Sequence, residues 1–234
     1  MGNFTMLELT SVLLTIVVIY VNGLTDAPNS VATCITTGCL SLKKAVFMSA
    51  IFNILGVVVM TLADSSVART ILTMVDFGED AQRAGIAVAA SLFSIVMWAV
   101  IAWWFGIPTS ESHALVAGVS GGAIAINNSM DGINTSEWLK AVYGLFTSCF
   151  GGFILGFLIC KLVLAVFRNI KKSKSNVFFT AAEIVAAASM SFMHGAQDGQ
   201  KFFAVFTMCA GVSVGKNNNL LLIILCALVM GLGT

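Results

Sequence analysis

Asn22-Gly23-Leu24-Thr25-Asp26-Ala27-Pro28-Asn29 and His194-Gly195-Ala196-Gln197-Asp198-Gly199-Gln200-Lys201 are two versions of one pattern. Aligned at a fixed offset, Gly23 meets Gly195, Thr25 meets Gln197 and Asp26 meets Asp198. Each copy sets an acid inside an otherwise apolar stretch. A carboxylate in hydrocarbon costs at least ~2.5–3.5 kcal/mol on insertion scales. A chain that bears this cost twice in the same setting uses both acids.

The surroundings explain why hydrocarbon is the right medium. The chain is 58% hydrophobic and only 10% charged, against about 25% charged in soluble domains. An all-α, polytopic membrane protein follows. The net charge of +1 offers no field for nucleic acid, and residues 1–8 lack the basic start of a signal peptide. The six cysteines show no metal-ligand spacing and read as small buried hydrophobes.

A spanning helix needs ~20 mostly apolar residues. Residues 45–63, 84–105 and 141–160 carry no charge, and residues 9–42 carry none before Lys43 except Asp26. Residues 177–214 are apolar but hold Glu183, His194, Asp198 and Lys201. Residues 220–230 begin another span, and residues 112–126 are apolar, short and glycine-rich.

Cytoplasmic loops carry excess Lys and Arg. Lys43-Lys44 and the cluster from Arg168 to Lys174 therefore belong inside, and the acidic stretches 64–83 and 127–137 outside. With residues 110–126 crossing outward, the segment holding Asp26 runs inward and the segment holding Asp198 runs outward. The two motifs are then antiparallel, as in inverted-repeat transporters. The expected organisation is a first repeat over residues 1–167, a basic cytoplasmic loop over 168–175, and an incomplete second, inverted repeat over 176–234.

Broken transmembrane helices are expected at both motifs. Proline removes a donor and clashes one turn back, yet it suits the first turn of a new helix. So one helix is expected to end near Asn22 and another to start near Pro28. Unwound backbone at membrane depth is tolerated where it lines a wet cavity. Its carbonyls and the acids suit Na⁺ or H⁺, and its amides suit an anion. His194-Gly195 and Gly199 are expected to loosen the second helix. Helical spacing aligns Glu183, Ala187, Met190 or Ser191, His194 and Asp198 on one stripe.

A third feature is Gly106-Ile107-Pro108-Thr109-Ser110-Glu111-Ser112-His113. Pro108 ends a span, and Thr109, Ser110 and Ser112 offer hydroxyls where a helix starts. That is either an oxyanion cradle or ordinary capping. Glu111 would repel an anion or hold a cation or proton beside it. His113 is a donor to substrate or a packed residue. Lys201 either neutralises Asp198 or contacts substrate, with pairing favoured. The glycine pairs 118/122 and 152/156 fit close helix packing. Residues 211–216 fall one short of a phosphate-binding loop.

Taken together, the three motifs resemble those of the PiT family of inorganic phosphate transporters, in the same order, from about Asn22 onward. The resemblance implies a secondary active symporter coupling phosphate to Na⁺ or H⁺ by alternating access, in the cell membrane and as a homodimer. By motif position, Asp26, Asn29 and Asp198 would serve the coupling ion (Na⁺, if sodium is used), with Glu111 beside them. Thr109, Ser110 and Ser112 would serve phosphate, and Gln197 and Gln200 would line the same site. No further cofactor is implied. Thr25 and Gln197 depart from the family, which often has Asn before the acid, and Glu111 interrupts the hydroxyl run. A second proline-hydroxyl hairpin would lie beyond Thr234. The alternatives are a symporter of sulfate or another oxyanion, a metal–phosphate complex as cargo, or a non-transporting fragment or subunit. An intramembrane enzyme built on Asp198, His194 and Glu111 has no nucleophile placed among them.

Overall fold

The computed structural model describes residues 6–170, 172–209 and 220–234, and among them every long element is a helix. The order is α1 (Met6–Thr36), α2 (Leu42–Ala63), α3 (Ser66–Met74), α4 (Ala81–Phe105), α5 (Glu111–Asn127), α6 (Thr135–Phe167), α7 (Lys172–Cys209) and α8 (Leu220–Gly233). Five are long and apolar enough to cross a membrane: α1, α2, α4, α6 and α7 from Asn176. The fold is the expected all-α, multi-pass membrane architecture. Residues 211–216 lie outside the described residues.

Helix boundaries follow local chemistry. Asp80 caps α4, its carboxylate accepting from the Gln82 and Arg83 amides at 3.0 and 3.2 Å. Gly106, at φ 64°, closes the same helix in a left-handed conformation open to glycine. Asn134 caps α6. No residue of α6 is buried, and Phe150, Phe153 and Leu162 stand exposed, as suits a surface in hydrocarbon rather than water.

Contacts fix the directions. Thr15 meets Cys209, Asn22 meets Asp198 and Ser30 meets Ser191. Numbers rise along α1 as they fall along α7, so the two motif helices are antiparallel. Against α2, α7 is parallel: Ser49 bonds Ser191 and Asn53 bonds His194. Cys34, Ala45 and Ala187 form a small cluster at one end of this trio, the end bearing Lys43 and Lys44. At the other end, the Asp76 carbonyl accepts from Asn127 at the close of α5, and Asp76 N donates to Gly132 just before α6. Basic and acidic segments thus occupy opposite faces. On α5, Gly118 packs on Ile95 and Gly122 on Ser91 of α4, so α5 runs back toward the acidic face. That is the outward crossing the orientation required.

The expected breaks at the motifs are not helix ends. α1 is continuous through Pro28, and α7 is continuous through residues 194–199. Proline forfeits one backbone bond, and hydroxyls cover neighbouring carbonyls: Thr25 Oγ1 donates to Val21 O at 2.9 Å and Ser30 Oγ to Ala27 O at 2.7 Å. Such side chains let a proline persist inside a membrane helix. The glycines of α7 serve approach rather than unwinding. A methyl at Gly195 would strike the Asn53 carbonyl, and one at Gly199 would strike Val57. α7 also begins at Lys172, inside the stretch expected as loop.

Candidate functional site

Both acids lie at the α1–α7 crossing. Asp198 is 8% exposed. Its Oδ1 accepts from Lys201 Nζ at 2.7 Å and from Ser112 Oγ at 2.9 Å. Its Oδ2 accepts from Asn22 Nδ2 at 3.3 Å. Lys201 stands one turn after Asp198 on α7, which puts both on one face. Its ammonium also donates to Ser112 Oγ at 2.8 Å. Asn22 is fully buried, and its Nδ2 reaches Asp26 Oδ2 at 3.1 Å as well. One amide therefore holds both carboxylates.

His194 completes the cluster. Its Nδ1 lies 2.8 Å from Asn53 Oδ1, and Asn53 donates its own amide to Thr234 Oγ1. Nδ1 must then carry the proton, because Asn53 Oδ1 can only accept. Nε2 is buried without a hydrogen-bond partner and lies 3.6 Å from Asp198 Oδ2. One ligand atom each from Asp26, His194 and Asp198 falls within 4.8 Å of the others. Such a set can hold a cation.

The acids border a cavity of about 640 Å³ lined by Asp26, Ser110, Ser112, Gln197, Asp198 and Lys201, among others. It joins hydroxyl and ammonium donors to carboxylates. An oxyanion and a cation can meet there, each reducing the charge the other faces.

The remaining sequence candidates distribute unevenly. Glu111 is 1% exposed at the start of α5, where the helix dipole favours an acid. Thr25 and Asp26 lie nearby, and Oε1 has no hydrogen-bond partner. Thr109 is separate: its hydroxyl accepts from Trp98 Nε1 at 2.7 Å and faces a second cavity between α4 and α5, of about 830 Å³. His113 and Ser110 border both cavities. Asn29 is exposed and outside the acid cluster. Gln200 is 3% exposed, with Oε1 unpartnered, and does not line the cavity of the acids. Asn22, rather than Asn29, is the asparagine that bonds both acids. Asn53 was not singled out from the sequence, and a buried Asn aligned with a His is visible only across helices.

Comparison with known proteins points to one family. Residues 22–177 match the profile of the phosphate transporter family. A Bacillus subtilis protein named as a probable low-affinity inorganic phosphate transporter is 31% identical over 92% of this chain and 64% of its own length. A Streptomyces halstedii protein of the same description is 32% identical over 82% of this chain and 89% of its own length. The Escherichia coli low-affinity inorganic phosphate transporter PitA is 30% identical over 77% of this chain and 41% of its own length. The chain thus spans between about two-fifths and nine-tenths of these relatives, and 64% of the first. A solved structure described as the sodium-dependent phosphate transporter shares the fold, with a TM-score of 0.80 at 17% identity, covering 98% of this chain and 75% of that one.

Proposed function

This chain belongs to the phosphate transporter family, and we propose that it carries inorganic phosphate across the cell membrane by cation-coupled symport with alternating access. The observation that carries the reading is the Asn22 amide bridging Asp26 and Asp198 beside a cavity that also presents Ser110, Ser112 and Lys201. Ser110, Ser112 and Gln197 would receive phosphate, and Asp26 with its neighbours would gather the Na⁺ or H⁺. A cation at Asp26 lowers the cost of bringing a negative solute to a carboxylate-rich chamber, so each ligand favours the other. The antiparallel crossing of α1 and α7 supports division into a repeat over residues 1–167 and the start of an inverted one over 176–234. Pairing of two copies as a homodimer belongs to the same reading.

The test is phosphate uptake into proteoliposomes under imposed Na⁺ or pH gradients. Wild-type protein should accumulate phosphate under one gradient, and Asp26→Asn should abolish coupled uptake. Wild-type rates in that variant would refute the role of Asp26. Uptake of labelled sulfate that excess phosphate leaves untouched would refute the choice of substrate.

A further inference from the structure

We propose that Lys201 is a built-in counter-cation, standing at Asp198 where a second coupling ion would otherwise bind. The inference rests on the symporter reading and deepens it by assigning the two acids different duties.

The two motifs are alike in sequence, and their acids are not alike in surroundings. Asp198 Oδ1 and Ser112 Oγ lie 2.9 Å apart, and the Lys201 ammonium bonds both, at 2.7 and 2.8 Å. These are the oxygens a monovalent metal ion would need there. Two positive charges cannot share that pair of oxygens without strong repulsion in a partly desolvated site. Asp26 has no such companion: among the described residues, no Lys or Arg lies within salt-bridge distance of it. Its carboxylate accepts from the neutral Asn22 amide. In the aligned motif, Asn29 occupies the position of Lys201, so the first copy has a neutral amide where the second has a base.

The head group is also held in place. Lys201 sits one turn from Asp198 on a continuous helix, and its side chain is 22% exposed at the rim of the cavity. It can offset negative charge at Asp198 through every step of a transport cycle without crossing the membrane. The energy of an ion gradient then enters through Asp26 alone, and the acid pair takes up one mobile cation per cycle instead of two.

Binding of ²²Na⁺ to the purified full chain tests this without phosphate. Lys201→Met should bind one more saturable Na⁺ per chain than wild type. Lys201→Arg should match wild type, and Lys201→Met combined with Asp198→Asn should return to the wild-type count. A monodisperse Lys201→Met protein with wild-type Na⁺ stoichiometry overturns the proposal. Asp198→Asn alone supplies an arm that does not depend on that variant folding. It should keep the wild-type count of Na⁺ while weakening its affinity, because Asp198 borders the same acid set as Asp26, and complete loss of that site also overturns the proposal. Failure here leaves the transport reading standing, and failed phosphate uptake leaves these counts interpretable.

Discussion

Asn22 and Asp198 are 176 positions apart in the chain and share a hydrogen bond of 3.3 Å. The same Asn22 amide group serves Asp26 at 3.1 Å. It is therefore the donor that lets the buried Asp198 and the half-buried Asp26 carboxylates approach each other. Asn22→Leu removes that donor from both carboxylates, of which Asp198 is buried. Bonds to charged groups contribute about 1.5–3 kcal/mol, so the variant should melt several degrees lower and lose more than tenfold in phosphate uptake. Wild-type uptake in a folded Asn22→Leu protein would show that the bridge is incidental.

The His194 ring is aimed by Asn53. Because Nδ1 bonds Asn53 Oδ1 at 2.8 Å, Nε2 is turned toward Asp198. Asn53→Ala should free the ring and lower uptake in the same direction as His194→Ala. The double variant should be little worse than the worse single one, since both changes break one arrangement. Additive losses, measured as uptake rates in the four-protein cycle, would separate the two residues.

Helix contact in the α1–α2–α7 trio depends on absent side chains. A methyl at Gly56 would meet the Phe192 carbonyl, and one at Gly195 the Asn53 carbonyl. Backbone cannot yield as a flexible side chain can. Gly195→Ala should therefore cost several kcal/mol and remove most folded protein from fluorescence-detected size exclusion. On α6, Gly144 and Gly152 have nothing within 4 Å of an added Cβ. Alanine there should be neutral or stabilising by up to about 1 kcal/mol through helix propensity. The opposite ranking would mean that α6, not α7, is packed through its glycines.

Much of this was legible in the residues themselves. Lys43, Lys44 and the cluster after Arg168 set orientation, and Asp26 and Asp198 announced themselves by their cost. The stripe of Ala187, Ser191, His194 and Asp198 faces α1 and α2 as helical spacing required. What misled was the proline rule. A break between Asn22 and Pro28 discards the register linking Thr15, Ile19, Asn22, Asp26, Ser30 and Cys34. On one continuous helix these residues recur every three or four positions, and all but Asp26 are fully buried or nearly so. That register chooses Asn22 over Asn29 as partner of the acids. Gln200 follows the same logic, since two residues past Asp198 it points well away around α7. The Lys201–Ser112 bond joins helices far apart in sequence, so no local pattern could have supplied it.

The hydroxyls of the α4–α5 connection differ in the same way, and their difference is measurable. Ser112 Oγ stands between Asp198 and the Lys201 ammonium, inside the cavity of the acids. Thr109 Oγ1 is engaged by Trp98 and opens onto the other cavity. If phosphate is received where the acids are, Ser112→Ala should weaken apparent phosphate affinity about 10- to 100-fold, the worth of one or two bonds to a charged group. Thr109→Val should change it less than threefold, and Trp98→Phe should behave like Thr109→Val. Competition of unlabelled phosphate against labelled uptake reads all three on one scale. Equal, large losses at Ser112 and Thr109 would mean that the connection swings Thr109 into the acid cavity during the cycle. The Trp98 bond would then be the latch of one conformational state, and Trp98→Phe would shift the balance between states instead of leaving affinity alone.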